Sequence, residues 1–157
     1  MKKTFLYETP LFTLKVSEEK GFLTELDFVT DKQSVQEELA ESILLKEAYK
    51  QLKEYFAGTR QDFDLPLAPQ GTEFQKKVWS ALCKIPYGQT RSYKDIAEFI
   101  DNPKGCRAVG MANSKNPIPI IIPCHRVIAA DGTIGGFSSG LAAKRKLLQL
   151  EGITWQG

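Results

Sequence analysis

The chain has 157 residues, 42% hydrophobic and 25% charged, which are values typical of a folded globular protein rather than a disordered one. No apolar stretch approaches the length of a transmembrane helix, and the start "MKKTFLYETPLF" is unlike a signal peptide because Glu8 and Pro10 interrupt it. Three cysteines, an odd number without a secretion signal, indicate free thiols in a reducing cytoplasm.

Charge is distributed unevenly along the chain. Residues 1–70 carry 9 Lys and Arg against 13 Asp and Glu, a net charge of −4, whereas residues 71–157 carry 12 against 6, a net charge of +6. A basic half beside an acidic half indicates that a polyanion binds the C-terminal part. Chance variation in solvated surface charge explains the same numbers, so the split alone leaves both interpretations open.

The first 70 residues have the pattern of an α/β domain. The segments "TLKVS" and "GFLTELDFV" alternate apolar and polar residues, which predicts two strands of an antiparallel sheet. From Ser34 to Phe56 apolar residues recur at three- to five-residue steps, which predicts an amphipathic helix ended by Gly58. "DFDLPLAPQGT" then predicts a short strand and a linker, so we place the boundary between domains 1–70 and 71–157 near residue 70.

Two capped helices are predicted at the start of the second domain. Thr72 is placed to cap a helix from Glu73 to about Cys83, ended by the turn "PYG". Ser92 is placed to cap a second helix, "YKDIAEFI". The apolar face of that second helix is expected to consist of Ile96, Phe99 and Ile100.

A third helix follows after a break at "DNP". Asn102 is a candidate cap, Pro103 suits a first helical turn, and "KGCRAVGMAN" continues the helix with Arg107 near its start. Two short helices joined by a tight turn fit a helix-turn-helix, in which the second helix contacts DNA. An ordinary helix pair is the alternative, and it would pack through the small residues Ala108, Gly110 and Ala112.

The end of the chain predicts a hairpin and a last helix. "RVIAADGTIGGF" resembles a hairpin that closes on Asp131-Gly132 in a type I′ turn. "GLAAKRKLLQLEG" predicts a helix ended by Gly152. The apolar face of this helix is expected to consist of Leu141, Leu147, Leu148 and Leu150.

The stretch "IPIIIPCHRVI" combines a buried-strand pattern with reactive side chains. A cysteine is a useful nucleophile only as its thiolate, and Cys124 is followed directly by His125 and Arg126, which favour that anion. The alternative is an inert buried cysteine, but a histidine and an arginine are unusual neighbours for one, so we favour reactivity. Cys83 and Cys106 lack such neighbours and are interpreted as structural.

The chain's only histidine sets the expected chemistry. Adjacent side chains rarely point the same way, so we expect His125 to reach Cys124 through a water molecule. Its other ring nitrogen needs a carboxylate or a carbonyl, and the residues alone leave that partner open. The three cysteines are 23 and 18 residues apart, which does not match metal-ligand spacing, and "GTIGGFSSG" lacks the lysine of a phosphate-binding loop.

Residues 71–157 resemble the methylated-DNA–protein-cysteine methyltransferases, also called 6-O-alkylguanine-DNA alkyltransferases. The resemblance runs through "GTEFQKKVW", "IPYGQTRSYKDIA", "RAVGMANSKNPIPIIIPCHRVI" and "GLAAKRKLLQLEG", and "PCHRV" with an upstream "NP" is its most specific part. It implies a ribonuclease H-like α/β domain over residues 1–70, which match only in length and coarse pattern. It also implies a mostly helical domain of winged helix-turn-helix type over 71–157.

The resemblance also implies catalytic roles. Cys124 would accept the alkyl group from the guanine oxygen, once and irreversibly. His125 would be the water-mediated base, Glu151 its carboxylate partner, and Asn116 a buried brace of the active-site turn. From the residues alone, Glu151 would be a solvated helix end.

Further roles concern the base and the DNA. The residues implied to bind the flipped base are Tyr93, Val127, Phe137 and Ser138, with Lys144 near the mouth of the pocket. The residues implied to contact DNA are Ser92, Tyr93, Asn102, Arg107, Ala108 and Asn113. Arg107 would fill the gap that the flipped nucleotide leaves, and its alternative role is a phosphate clamp. The alternative for Tyr93 is a core aromatic at a helix start.

The implied partner is double-stranded DNA, bound through its minor groove with little sequence specificity by a cytoplasmic monomer. The resemblance implies no cofactor. Many relatives carry tyrosine where this chain has Phe137, and the N-terminal metal ligands of other relatives are missing, so no metal is expected. Other classes remain as alternatives: a non-catalytic protein that binds alkylated DNA and signals to another repair pathway, a cysteine hydrolase, and a gene regulator. Cys124 argues against the first, and the helix-turn-helix pattern argues against the second. Few base-reading side chains argue against the third.

Overall fold

The computed structural model describes residues 1–137 and 140–156. The chain forms two compact units, residues 1–70 and residues 71–157. Within the described part of the chain, no helix is both long and apolar enough to cross a bilayer.

The first unit is built on a three-stranded antiparallel sheet in the order β1-β2-β3. Its strands are β1 (Lys2–Glu8), β2 (Thr13–Glu19) and β3 (Phe22–Phe28). Strands β2 and β3 confirm the two alternating segments, whereas β1 was not predicted. Lys20 and Gly21 both have positive φ, 55° and 83°, which is the backbone that a two-residue type I′ hairpin requires.

The predicted helix from Ser34 is wrong in its first part. Helix α1 spans Ile43–Phe56, because the Ser42 hydroxyl accepts a hydrogen bond from the Leu45 N–H at 3.1 Å and caps it there. Upstream, Leu39 pairs with the first strand in an isolated bridge. The apolar spacing in this upstream segment therefore does not reflect a helix.

The connection after α1 is mostly irregular. Gly58, with φ +80°, follows the helix end as predicted. The predicted strand in "DFDLPLAPQGT" is only a single bridge between Leu67 and Leu23, flanked by a hydrogen bond of 2.9 Å from the Leu23 N–H to the Pro66 carbonyl. One bridge is enough to fix this segment against the sheet, but it does not make a fourth strand.

The second unit is mostly helical, and most of its helices begin where they were predicted. Its elements are α2 (Glu73–Leu82), β4 (Arg91–Ser92), α3 (Tyr93–Phe99), α4 (Cys106–Ser114), a 3₁₀ helix (Cys124–Arg126), β5 (Val127–Ile128) and α5 (Leu141–Leu150). Thr72 and Gln75 form a reciprocal capping box on α2, and Ser92 and Asp95 form another on α3. Gly152, with φ +75°, ends α5 as predicted.

Helix α4 begins without the predicted cap. Its N-cap residue is Gly105, which makes no side-chain hydrogen bond. Asn102 lies in the preceding turn, where its backbone carbonyl accepts the Gly105 N–H at 2.9 Å. The asparagine therefore closes the turn between α3 and α4 and does not cap α4.

The predicted hairpin at Asp131-Gly132 is also wrong. Strand β5 pairs in parallel with β4, with Val127 opposite Arg91. Gly132 has φ +88°, but Asp131 does not have the positive φ that a type I′ turn requires at both positions. The loop instead closes through a hydrogen bond from the Gly132 N–H to the Ala129 carbonyl at 3.0 Å.

The core of the second unit fixes helix α4 in place. The indole Nε1–H of Trp79, which is 2% exposed, donates to the Ala112 carbonyl at 2.8 Å. Residues packed in this core include Val78, Leu82, Ile96, Val109, Ile118, Leu147 and Leu148. Phe99 departs from the prediction: it is 63% exposed, so Ile96 and Ile100 form the buried face of α3 without it.

Candidate active site

Pro123 bends the chain directly before Cys124. Its φ of −81° and ψ of 64° are those of an inverse γ-turn, closed by a hydrogen bond of 2.7 Å from the Cys124 N–H to the Ile122 carbonyl. A proline ring fixes φ near this value, so Pro123 is preorganised for the turn. The turn leads into the 3₁₀ helix that carries Cys124 and His125, both of which are buried.

Asn116 holds the loop that precedes this turn. Its Nδ2 donates to the Ile122 carbonyl at 2.8 Å, and its Oδ1 accepts from the Ile118 N–H at 3.0 Å. Between these anchors lies Ile120, whose φ of +74° is disfavoured for a β-branched residue. Such a conformation persists only where surrounding contacts determine it. The geometry therefore matches the brace expected of Asn116.

His125 is paired with Glu151, as expected from the resemblance. The His125 Nε2 lies 2.7 Å from Oε2 of Glu151, and both side chains are fully buried. Arg126 donates to both oxygens of this carboxylate, from Nε at 2.8 Å and from NH2 at 3.0 Å. Its NH1 donates to the Ile85 carbonyl at 2.7 Å, and the Gly88 N–H reaches the carboxylate at 3.2 Å.

From its position beside Cys124, Arg126 was expected to favour the thiolate, but its contacts are with Glu151. Its guanidinium binds the carboxylate and a backbone carbonyl, and so it anchors Glu151. The sequence contained a signal for this, because a charged residue inside an apolar run is almost never buried without a partner. We did not assign Arg126 a structural role from that signal.

The protonation states in this cluster follow from burial and pairing. Burial lowers the pKa of His125, against the opposing effect of the Glu151 hydrogen bond, so the imidazole is neutral at pH 7. Burial raises the pKa of Glu151, but hydrogen bonds and charges from His125 and Arg126 outweigh it and hold the pKa at about 2. A carboxylate only accepts hydrogen bonds, so the proton of neutral His125 is on Nε2. Nδ1 is therefore the ring nitrogen with a free lone pair.

Cys124 is a thiol at rest. Burial raises its pKa to about 11, against smaller lowering effects from the Asn116 hydrogen bond and the charge of Lys144. Nδ1 of His125 is buried and has no hydrogen-bond partner in the described part of the chain. A buried thiol and, on the next residue, an imidazole with a free acceptor nitrogen are the two groups that base-assisted nucleophilic attack requires.

Lys144 lies deeper than the pocket mouth where it was expected. It is fully buried, and its Nζ donates to the carbonyls of Val127 at 2.7 Å and Gly136 at 3.0 Å. Burial lowers its pKa to about 8, while the nearby Cys124 raises it. Because the ammonium lies near the sulfur, it stabilises a developing thiolate. The Val127 side chain is buried, and its backbone carbonyl is one of the two acceptors of the Lys144 ammonium.

A cavity of about 280 Å³ lies near the cysteine, because Asn113, one of its lining residues, donates to the Cys124 carbonyl. It is lined by Tyr93, Gly110, Asn113, Ser114, Gly136 and Phe137. Burial raises the pKa of the Tyr93 hydroxyl, which receives a backbone hydrogen bond from Gly136. Tyr93 and Phe137 thus lie at the cavity, as expected, whereas Ser138 lies outside the described residues. A larger cavity of about 650 Å³, lined in part by Lys84, Arg91 and Phe99, includes none of the reactive side chains.

The residues expected to contact DNA separate into two groups. Asn102, Arg107 and Ala108 are exposed, and Ser92 is half-buried at the start of α3. Asn113 is 4% exposed, and its Nδ2 donates to the Cys124 carbonyl at 3.4 Å, so it belongs to the cavity and not to the exposed face.

The exposed face of α4 also differs from the predicted set of small residues. Ala112 is buried, because its side of the helix packs on the core. Met111, one helical turn after Arg107, is 62% exposed and was overlooked. The exposed face of α4 therefore carries the long apolar side chain of Met111 in addition to Arg107 and Ala108.

No group of three or more His, Cys, Asp or Glu side chains within residues 1–137 and 140–156 is arranged to hold a metal ion. The three cysteines are free: Cys83 is exposed, Cys106 is partly exposed and Cys124 is buried. Of the three, Cys124 is the one that a histidine follows directly in the chain.

Comparisons with known proteins agree with this geometry. Residues 73–153 match the family model of the 6-O-methylguanine DNA methyltransferase DNA-binding domain, and residues 2–69 match that of its ribonuclease-like domain. A methylated-DNA–protein-cysteine methyltransferase of Methanosarcina barkeri is 48% identical over 93% of this chain and 94% of its own.

Two solved structures from Mycobacterium tuberculosis are also similar. The O6-methylguanine methyltransferase has a TM-score of 0.86 at 41% identity, covering 96% of this chain and 93% of its own. The OGT protein in complex with DNA has a TM-score of 0.83 at 42% identity, covering 96% and 91%. The antiparallel sheet and helix of the first unit and the helical second unit agree with the two domains of these matches. The chain therefore belongs to the 6-O-methylguanine DNA methyltransferase family.

Proposed function

We propose that this protein repairs DNA by transferring the alkyl group of 6-O-alkylguanine, and of 4-O-alkylthymine, to its own Cys124. The observation that carries the proposal is the contact of 2.7 Å between Nε2 of His125 and the Glu151 carboxylate. Glu151 holds the proton on Nε2 and leaves Nδ1 free to accept one, on the residue that directly follows Cys124. The names of the relatives, methylated-DNA–protein-cysteine methyltransferases, describe the same reaction.

The reaction proceeds in one displacement. The Cys124 thiol gives its proton to Nδ1 of His125 through a water molecule, and the sulfur attacks the alkyl carbon. The carbon–oxygen bond breaks, its electron pair stays on the base, and the restored guanine takes up one proton. Lys144 and Asn116 stabilise the thiolate, and Glu151 stabilises the imidazolium that forms.

The product explains why each molecule acts once. The alkylated sulfur is a thioether, which has no easy leaving route at neutral pH. No cofactor is needed, because the sulfur is both nucleophile and final acceptor. The protein is thus consumed in proportion to the lesions it repairs.

DNA binding is assigned to the helix-turn-helix formed by α3 and α4. A target atom inside the duplex is reached only when the base is flipped out of the stack. We assign Tyr93, at the cavity, to the flipped base, and we assign the exposed Arg107 to the gap that the base leaves. Ser92, Asn102 and Ala108 contact the backbone of the minor groove with little sequence specificity. A monomer in the cytoplasm is sufficient for this activity.

The test is the intact mass of the protein after incubation with DNA that contains 6-O-methylguanine. A single added methyl group that maps to Cys124 is expected, and Cys124→Ala should stay unmodified while it still binds DNA. Cys83→Ala is the matched control and should be methylated like the wild type, since that cysteine is exposed and has no histidine next to it in the chain. Repeated turnover by substoichiometric protein would overturn the proposal.

A further inference from the structure

The loop that follows β5 lines the cavity but buries none of its own side chains. Residues 129–137, here called the cavity loop, end in Gly136 and Phe137, which are both lining residues. Every residue of the loop is at least partly exposed, and three of them are glycines, two with positive φ. A segment with little apolar burial opens easily unless hydrogen bonds hold it. The position of the cavity loop therefore depends on its polar contacts.

Two side chains hold the cavity loop at the end that reaches the cavity. Lys144 donates from Nζ to the Gly136 carbonyl at 3.0 Å and to the Val127 carbonyl at 2.7 Å, which joins the loop to β5. The Gly136 backbone is also hydrogen-bonded to the Tyr93 hydroxyl. Both contacts are at Gly136, so the half of the loop around Gly132 needs an anchor of its own.

The C-terminal segment, residues 154–156, supplies that anchor. The Gln156 N–H donates to the Gly132 carbonyl at 2.8 Å, and Gln156 forms an isolated parallel bridge with Thr133. The two chains pack closely, because a Cβ atom on Gly132 would lie 3.3 Å from side-chain carbons of Gln156. The segment itself starts from a fixed point, since Ile153 is buried and its N–H is hydrogen-bonded to the last turn of α5.

We propose that the C-terminal segment is a positioning element, which holds the cavity loop in place and so keeps the cavity formed and Cys124 shielded. Cys124 is 2% exposed in this arrangement. Release of the loop at Gly132 lets the wall formed by Gly136 and Phe137 move, and the cavity then opens towards solvent. The expected effect on alkyl transfer rests on the proposed function, whereas the expected effect on the accessibility of Cys124 does not. Loss of one hydrogen bond changes such an equilibrium by about two- to tenfold.

Three variants separate the backbone contact from the side chain. Gln156→Pro keeps the length of the chain but removes the N–H that donates to Gly132. A chain that ends at Ile153 lacks the whole C-terminal segment. Gln156→Met is the matched control, because it keeps the N–H and the side-chain carbons beside Gly132.

Two rates are measured for each protein. One is single-turnover methyl transfer from saturating duplex that contains 6-O-methylguanine. The other is labelling of Cys124 by iodoacetamide without DNA, with the exposed Cys83 of the same sample as the reference. Gln156→Pro should transfer methyl about two- to tenfold more slowly and label Cys124 about two- to tenfold faster, and the shortened chain should show both changes at least as strongly. Gln156→Met should behave like the wild type.

A thermal melt and the affinity for undamaged duplex accompany these rates, and neither loss of folding nor weaker DNA binding is expected. Unchanged labelling of Cys124 in both Gln156→Pro and the shortened chain would overturn the proposal, even if transfer is slower. Faster labelling with an unchanged transfer rate would overturn it too, because the loop would then not position anything for the reaction. A wild type that is labelled but transfers no methyl would contradict the proposed function instead, and the labelling rates would still decide whether the segment holds the loop.

Discussion

Replacing Glu151 with glutamine tests how the thiol is activated. Four N–H groups converge on the carboxylate, from His125, Arg126 and the Gly88 backbone. An amide has one acceptor oxygen and no charge, so some of these donors lose their partner. Breaking a buried ion pair by removing one member costs about 3–5 kcal/mol, and we expect a lower free energy of unfolding of that order.

The effect on the reaction follows from the pKa of the thiol. With a pKa of about 11, Cys124 is a thiolate in roughly one molecule in ten thousand at pH 7. Without the carboxylate, the imidazolium that forms on His125 is no longer stabilised, and the reaction depends increasingly on that small fraction. A positioned base contributes about 100- to 10,000-fold. Glu151→Gln should therefore slow alkyl transfer by about that factor, or roughly 3–5 kcal/mol of transition-state stabilisation.

The dependence on pH separates this effect from simple unfolding. In the wild type His125 is neutral at pH 7, so the rate of alkyl transfer should not rise between pH 7 and 9, and it should fall towards pH 9 as Lys144, whose pKa is about 8, loses its charge. In Glu151→Gln the thiolate fraction rises tenfold for each pH unit below the thiol pKa. The single-turnover rate of the variant, divided by that of the wild type, should consequently recover by about 100-fold over the same interval, because loss of the Lys144 charge slows both proteins.

Two controls accompany the measurement. Glu98→Gln removes an exposed carboxylate from α3 and should leave both the rate and its pH profile unchanged. A thermal melt and binding to undamaged duplex establish that Glu151→Gln is folded under the assay conditions. A folded Glu151→Gln protein that reacts slowly with a flat pH profile, or at the wild-type rate, would refute this account of thiol activation.

Three further predictions concern acid stability and DNA binding. Folding lowers the pKa of His125, the only histidine, below its unfolded value of about 6.5. Its contribution to the free energy of unfolding should therefore be complete above pH 6.5. Below that pH the free energy of unfolding should decline by up to about 1.4 kcal/mol per pH unit. Equal denaturant midpoints at pH 7.5 and 5.5 would contradict a neutral His125. Arg107→Ala should slow alkyl transfer much more on duplex than on single-stranded DNA. The control Met111→Ala should keep the wild-type ratio of the two rates. Equal losses on both substrates for Arg107→Ala would indicate a phosphate clamp. Affinity for undamaged duplex should fall steeply with salt concentration, because the basic residues 71–157 displace counterions from the phosphates. An affinity that does not change with salt would contradict DNA binding by these residues.

Local sequence signals located most elements of the second unit. Thr72 and Ser92 were identified as caps because a cap needs only a side-chain oxygen and the backbone of the next turn. Where pairing with a distant segment decides the backbone, the same kind of signal failed. The segment before Ser42 has apolar spacing close to that of a helix, yet it bridges to the first strand. Val127 and Ile128 looked like half of a hairpin and instead pair with Arg91 and Ser92.

The reactive residues of the site were visible in the sequence, but their pairing was not. Pro123, Cys124 and His125 are contiguous, so their chemical types alone indicated a nucleophile and its base. The partner of His125, by contrast, comes from the end of α5, and only the fold brings Glu151 to within 2.7 Å of the ring. Local rules carry no information about such long-range contacts. The burial of single side chains was equally hidden from local rules. Lys144 and Asn113 are buried near Cys124, whereas Phe99 and Met111 are exposed, although all four lie on helices that the sequence predicted.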